Sequence, residues 1–288
     1  MTSASSTSST STLRGKVAVV TGAGSGIGRS LALAIARRAG RLSVCDVNAD
    51  GLAETVEAVR ALGAEIHSLP VDVADRAAVV GYAKEVHTHF GVVHQLYNNA
   101  GIASGAGFLD TDYELFDRVL AVNLSGVISC TKEFLPRLIE SGDGHLVNVS
   151  SLNGLLAQQF LGAYCTSKFA VRGFTESVRA EMLSLGHPVR VTVVHPGGVA
   201  TNIARSAVAP ASFTADELAL FHAGQRMYER KLLRMPADRA AEIIVRGVER
   251  GKKRILVGSD ARALDRVVRL LPTAYISVLV RAERLVSR

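Results

Sequence analysis

Cysteine is scarce in this chain of 288 residues. Cys45, Cys130 and Cys165 form an odd, scattered set without a CxxC pair. That spacing speaks against a thiolate metal site and makes a reduced, intracellular and cytoplasmic protein the simplest expectation. Long apolar runs are also missing. The longest uncharged run in the C-terminal region, Leu270–Val280, has 11 residues and is interrupted by Pro272. A spanning helix needs about 20 apolar residues, so the chain is expected to be soluble or at most peripherally attached. Residues 1–12 carry no basic residue and no apolar core. They do not resemble a secretory signal and read as a disordered Ser/Thr-rich tail. The eight histidines form no HExxH pattern, and His87 and His89, two apart on a predicted helix, do not share a face. No metal is expected. There is no GxSxG either, because Ser150-Ser151 sits in Asn148-Val-Ser-Ser-Leu-Asn-Gly154, so a hydrolase nucleophile elbow is set aside.

Acidic residues are few in one region only. Residues 1–250 hold 24 basic and 23 acidic side chains, whereas 251–288 hold nine and three. The formal charge of +7 thus describes a near-neutral body with a basic tail. This weakens the nucleic-acid reading that net charge alone would invite.

The apolar content of 48% and charged content of 20% rule out general disorder. Short runs rich in Val, Ile and Leu recur at Val17–Thr21, Leu42–Asp46, Glu65–Val71, Gln95–Asn98, His145–Ser150, Arg190–His195 and Arg254–Val257. They are apolar on both faces, as buried parallel strands are. Between them lie helical patterns such as Ile27–Ala39, Leu52–Leu62, Ala77–Phe90 and Ala163–Leu185. This alternation predicts an α/β protein with a doubly wound parallel sheet, a Rossmann fold, in a single domain over 13–260. Within it, Thr201–Met235 is the least regular stretch, with an amphipathic piece but no strand; an insertion before the last strand is a natural substrate lid.

The first strand runs into Thr21-Gly22-Ala23-Gly24-Ser25-Gly26-Ile27-Gly28 and then a helix. Glycines let the backbone approach a pyrophosphate, whose charge the helix N-terminus favours. The spacing differs from GxGxxG, because Ile27 stands where its third glycine would fall. Asp46 ends the second strand, 18 positions after Gly28. There a carboxylate accepts hydrogen bonds from ribose hydroxyls and repels a 2′-phosphate, so NAD is favoured over NADP. Asp72, in Val71-Asp72-Val73, suits either the adenine amino group or a helix cap. Tyr164 and Lys168, at i and i+4, share a helix face, and Ser151 precedes Tyr164 by 13 positions. An adjacent cation lowers a tyrosine pKa from about 10 and lets the phenol exchange a proton near neutral pH.

These motifs resemble the classical short-chain dehydrogenase/reductase family over roughly residues 13–260. The matches are the glycine run ending at Gly28, Asp72, Asn98-Asn-Ala-Gly101, Asn123, Ser151, Tyr164-xxx-Lys168 and Pro196-Gly197. The resemblance implies an oxidoreductase moving a hydride between NAD(H) and a secondary alcohol or ketone. It makes Tyr164 the acid/base and gives Lys168 two tasks, tuning Tyr164 and holding the nicotinamide ribose. Ser151 becomes the donor to the substrate oxygen, and Asn123 the fourth member, holding Lys168 through a water. It implies a cofactor-binding set of Gly22, Ser25, Gly26, Ile27, Gly28, Asp46, Asp72, Val73, Asn99, Ala100, Gly101, Tyr164, Lys168, Pro196, Gly197, Gly198, Val199 and Thr201. The amides after Pro196 resemble those that grip the carboxamide. The resemblance also implies a homodimer or homotetramer formed through helices within Thr111–Ile139 and Gly154–Leu185. An NADP-dependent ketone reductase and a non-catalytic, nucleotide-sensing interaction protein on the same fold are the alternatives.

Substrate identity is expected in three loops: around Ala103–Phe108, after Ser151, and in Thr201–Met235. Leu155, Leu156, Phe160, Leu161 and Ile203 hint at a hydrophobic or bulky alcohol, or else at packing on the body or on another subunit. The basic extension 261–288 places Leu264, Val267, Val268 and Leu271 on one helical face, flanked by Arg262, Arg266 and Arg269. Such a helix lies on an anionic membrane surface or docks on protein.

Overall fold

The computed structural model describes residues 13–203 and 207–286. In chain order the first half comprises β1 (Val17–Thr21), α1 (Gly26–Ala36), β2 (Arg41–Asp46), α2 (Ala49–Ala61), β3 (Ile66–Pro70), α3 (Arg76–Phe90) and β4 (Gln95–Asn98). The second half follows with α4 (Tyr113–Leu120), α5 (Gly126–Glu140), β5 (Gly144–Val149), α6 (Gly162–Ser184), β6 (Val189–Pro196) and β7 (Val199–Ala200). It ends with α7 (Ala215–Leu232), β8 (Met235–Pro236), α8 (Ala237–Glu249), β9 (Arg254–Val257), α9 (Ser259–Leu270) and α10 (Tyr275–Val286). A π-helical turn, Ala121–Ser125, joins α4 to α5, and a 3₁₀ turn, Leu152–Gly154, follows β5.

Seven strands form one parallel sheet in the order β3-β2-β1-β4-β5-β6-β9. Because side chains alternate along a strand, each central strand feeds two cores. Ala18 and Val20 of β1 join Leu31, Ile35, Val56 and Ile244 on one face. Val17 and Val19 join Val79, Val86, Phe134 and Met182 on the other. Helices therefore cover both faces, and the fold is the doubly wound α/β sheet expected. β3 differs from the expected buried strand. It is half-buried along its length and exposed at Pro70, because it is the edge strand of the sheet among the described residues.

Helix starts follow local chemistry. The Asn48 side chain accepts from the Gly51 amide, Asp75 from Ala77 and Ala78, and Asp112 from Leu115. Thr214 and Glu217 form a reciprocal capping box that opens α7. The stretch expected to lack strands is helical at α7, and its last residue, Met235, begins β8, which pairs with Val199–Ala200.

The strand order reverses direction between β1 and β4, and parallel α/β sheets bind ligands outside the carboxyl ends of their strands at such a point. The division expected after residue 260 falls inside α9. The extension docks on the body: Ala261 is fully buried, Asp265 pairs with Arg254, and Tyr275 is buried. The expected tail 1–12 lies outside the described residues. No helix among the described residues is long and apolar enough to cross a membrane.

Candidate active site

The glycine-rich turn connects β1 to α1 at the switch point. A methyl on Gly28 would run into the Gly22 carbonyl oxygen, so strand and helix approach as only glycine allows. Asp46, at the end of the adjacent β2, closes over this turn. Its Oδ2 accepts from the Gly24 amide at 2.7 Å, and its Oδ1 from the Asn48 amide at 2.8 Å. Arg29, which sequence reasoning missed, ties the turn to α2. Its guanidinium donates to the carbonyls of Gly24 (2.6 Å) and Gly51 (3.0 Å) and pairs with Glu54. The turn leads directly into the N-terminus of α1, where the charge of a bound phosphate is favoured.

Asp72 is not the cap of α3; that role belongs to Asp75. The Asp72 carboxylate accepts from the Ala74 amide at 2.9 Å and pairs with Arg118 of α4 at 2.9 Å. Burial opposes its ionisation, yet the Ala74 amide and the Arg118 guanidinium hold it below the ordinary aspartate value. Val73 is buried against Gly126.

After β4, the chain is latched to the end of β1. The Thr21 hydroxyl accepts from the amides of Asn99 (3.0 Å) and Ala100 (3.1 Å), while the Asn99 side chain donates to the carbonyls of Thr21 and Gly22. Asn98 points into the protein instead. Its amide donates to Thr131 Oγ1 at 3.0 Å and Asn148 Oδ1 at 2.8 Å, and Asn148 donates onward to Thr175. This buried polar chain ties β4 and β5 to α5 and α6.

Of the four expected catalytic residues, Asn123 and Lys168 flank Gly101, and Tyr164 stands beside Lys168. Lys168, one turn after Tyr164 on α6, is buried; its Nζ lies 5.7 Å from the Tyr164 ring centroid and donates to the Val149 carbonyl at 3.1 Å. Burial pushes its ammonium down to about 8, so it remains mostly charged at neutral pH. Asn123 is fully buried in the π-helical turn, a deviation that re-aims side chains at functional sites. It exchanges hydrogen bonds with the Ile102 backbone and donates to Ser167 Oγ at 3.0 Å, which donates to the Tyr164 carbonyl at 2.7 Å. A methyl on Gly101 would meet both Asn123 Oδ1 (3.2 Å) and Lys168 Nζ (3.4 Å), so the two polar groups flank one small gap.

Ser151 stands at the end of β5, where its hydroxyl accepts from the Asn153 amide at 3.1 Å and opens the 3₁₀ turn. Beneath it, His195 Nδ1 donates to the Ser151 carbonyl at 2.8 Å, which fixes the tautomer because a carbonyl only accepts. Burial lowers the His195 pKa to about 4, so the ring is neutral at pH 7. Pro196 ends β6. The amides of Gly197, Gly198 and Val199 donate to the Val257 carbonyl, the Asp260 carboxylate and the Gly197 carbonyl respectively. Thr201 leans over the glycine-rich turn, where a methyl on Gly26 would meet its Cγ2 at 3.1 Å.

The three expected substrate segments meet. Bridges join Ser104 to Val208 and Ala106 to Leu161, and the Phe221 ring stands against Gly105. Leu155 and Leu156 are buried, Leu161 and Ile203 are half-buried, and Phe160 is exposed. Tyr275, absent from the expected set, accepts from the Ala157 amide at 3.0 Å. Among the described residues, no three His, Cys, Asp or Glu side chains cluster as metal ligands.

The family model for the short chain dehydrogenases matches residues 16–211. SadH of Mycobacterium tuberculosis, named as an oxidoreductase, is 47% identical over 265 residues, covering 92% of this chain and 94% of that protein. Human estradiol 17-beta-dehydrogenase 11 is 29% identical over 268 residues, 93% of this chain and 83% of that one. Among solved structures, a short chain dehydrogenase/reductase from Burkholderia phymatum in complex with NAD superimposes with a TM-score of 0.85. Its identity is 30%, over 92% of this chain and 97% of that one.

Proposed function

The chain belongs to the short chain dehydrogenase family, and on that premise we propose that it is an NAD-dependent oxidoreductase acting on a secondary alcohol or ketone of hydrophobic or bulky character. The observation that carries the reading is the buried Lys168 ammonium beside the Tyr164 ring, with Ser151 at the neighbouring strand end.

A bound nicotinamide supplies the hydride acceptor or donor. Tyr164 takes the hydroxyl proton of the alcohol as it is oxidised and returns it in reduction. Lys168 favours the phenolate by its charge and, donating to Val149, is held in place to do so. Ser151 donates to the substrate oxygen and stabilises the charge that develops there. Asn123 shapes the far side of the gap and, through Ser167, braces the Tyr164 backbone. Gly22, Ser25, Gly26, Ile27 and Gly28 hold the pyrophosphate. Asp46 takes the adenosine ribose, and Asp72 and Val73 flank the adenine. The backbone of Asn99, Ala100 and Gly101 and the run Pro196–Thr201 complete the cofactor groove. Leu155, Leu156, Phe160, Leu161 and Ile203 belong to the substrate side.

NAD is favoured because Asp46 would face a 2′-phosphate, and the NAD-bound Burkholderia neighbour supports a nicotinamide cofactor. The name of the human relative, a steroid dehydrogenase, supports a bulky apolar alcohol. We also propose a homodimer or homotetramer through α4–α5 and α6. Ile128 and Phe169 leave apolar surface exposed on those helices, and sedimentation in solution tests it. Three free, buried thiols suit a cytoplasmic setting.

The test is a panel of secondary alcohols with NAD and with NADP, read by the appearance of the reduced nicotinamide chromophore. Turnover of apolar alcohols with NAD is expected. Absence of turnover with every member, together with absence of NADH binding, overturns the proposal.

A further inference from the structure

The chain leaves β9 through Gly258 and Ser259 and places Asp260 in the first turn of α9. An acid there is favoured by the helix N-terminus and would ordinarily serve its own helix. Here its Oδ2 accepts instead from the amide of Gly198, 62 residues away, at 2.6 Å. Room for the carboxylate comes from two glycines. A methyl on Gly197 or on Gly258 would overlap it, and Gly258 also has φ +111, which side-chain-bearing residues rarely adopt.

The Gly198 peptide is held from both sides. Its N–H goes to Asp260, and its C=O accepts from the amides of Arg234 and Met235, each at 3.1 Å. This turn occupies a defined place. It follows His195, which donates to the Ser151 carbonyl, and it leads to Thr201, which leans over the glycine-rich turn at Gly26. The run Pro196–Thr201 therefore stretches from the serine to the phosphate cradle. With Asp46 marking the adenosine end, the opposite half of a dinucleotide lies along this run.

We propose that Asp260 is a positioning residue for the nicotinamide half of the cofactor, and that the segment after the last strand is thereby part of the cofactor site. A carboxylate bonded to a backbone amide is roughly twice as strong as a neutral pair, and it bridges two elements that nothing in the local sequence connects. The inference rests on reading Pro196–Thr201 as the nicotinamide side.

The test compares NADH with ADP-ribose, which shares every group of NADH except the nicotinamide. Binding of each to the full-length protein is measured by calorimetry for wild type, Asp260→Ala and Asp260→Asn. Asp260→Ala is expected to weaken NADH about tenfold and to leave ADP-ribose unchanged, because only the nicotinamide side loses its support. Asp260→Asn, which keeps an accepting oxygen, is expected to restore most of the affinity. Unchanged or tighter NADH binding in Asp260→Ala overturns the inference. So does an equal loss for both ligands, which marks a general loosening. A wild-type protein that binds neither ligand overturns the cofactor reading itself.

Discussion

The Nζ of Lys168 lies 5.7 Å from the centroid of the Tyr164 ring, and both groups project from one turn of α6. The ammonium is buried, and its hydrogen bond runs to the Val149 carbonyl, so a cation is kept at a depth where its field acts with little screening. The catalytic role proposed for Lys168 and the stability of the fold are therefore opposed at this residue.

That opposition gives a pH signature. The folded pKa of Lys168, about 8, is below the ordinary lysine value of 10.5. Between those values the unfolded chain holds a proton that the folded protein has released, so stability rises with pH through the window. Relative to a Lys168→Met protein, wild type should gain about 3 kcal/mol between pH 8 and pH 10.5, at 1.36 kcal/mol per unit. Urea unfolding of both proteins across that range measures the difference. A flat difference contradicts a buried cation.

Tyr164→Phe removes the proposed proton carrier and keeps the ring against which Lys168 sits. Turnover should fall by about 10²- to 10⁴-fold while NADH still binds, as for loss of a general acid/base. Steady-state rates and NADH titration separate the two effects. Retained turnover would assign the proton transfer to another group.

Asp46 holds the Gly24 amide, and the proposed cofactor site sets the adenosine ribose beside the same carboxylate. Asp46→Ala should shift the preference between NADH and NADPH at least tenfold toward NADPH, about 1.4 kcal/mol. NADH should also bind more weakly, because the turn loses a tether. Dissociation constants for both cofactors check this. A wild-type protein that already prefers NADPH tenfold refutes the role given to the carboxylate.

Tyr275 is the point at which α10 grips the loop after Ser151, through the Ala157 amide. Tyr275→Phe removes the acceptor without opening a cavity. The Ala157 amide should exchange with solvent about fivefold faster, the effect of one hydrogen bond of about 1 kcal/mol. Hydrogen exchange over residues 155–161 reads it directly. Unaltered exchange means that the extension does not hold this loop.

Much of the site was legible because its parts are local in sequence. Tyr164 and Lys168 share a face at i and i+4, and the glycine turn joins consecutive elements. Other contacts were not legible. Arg118 reaches Asp72 across 46 positions, and His195 reaches Ser151 across 44. No periodicity or spacing announces such pairs, since they arise from which strands become neighbours. The half-buried β3 differs from the expected buried strand because it lies at the sheet edge, where His67, Ser68 and Pro70 are tolerated.

The seven strands of the parallel sheet, the helix face that carries tyrosine and lysine, the glycine-rich turn and the concentration of basic charge in the last 38 residues were all written in the sequence. These depend on side-chain periodicity and local backbone freedom, which are written within one element or one turn. What that basic segment touches depends on the packing of the whole sheet. Crossovers between parallel strands bring β9 beside β6, and α9 thereby delivers Asp260 to the Gly198 amide. The order of strands in a sheet is a long-range outcome of packing, and the contacts at their ends follow from it.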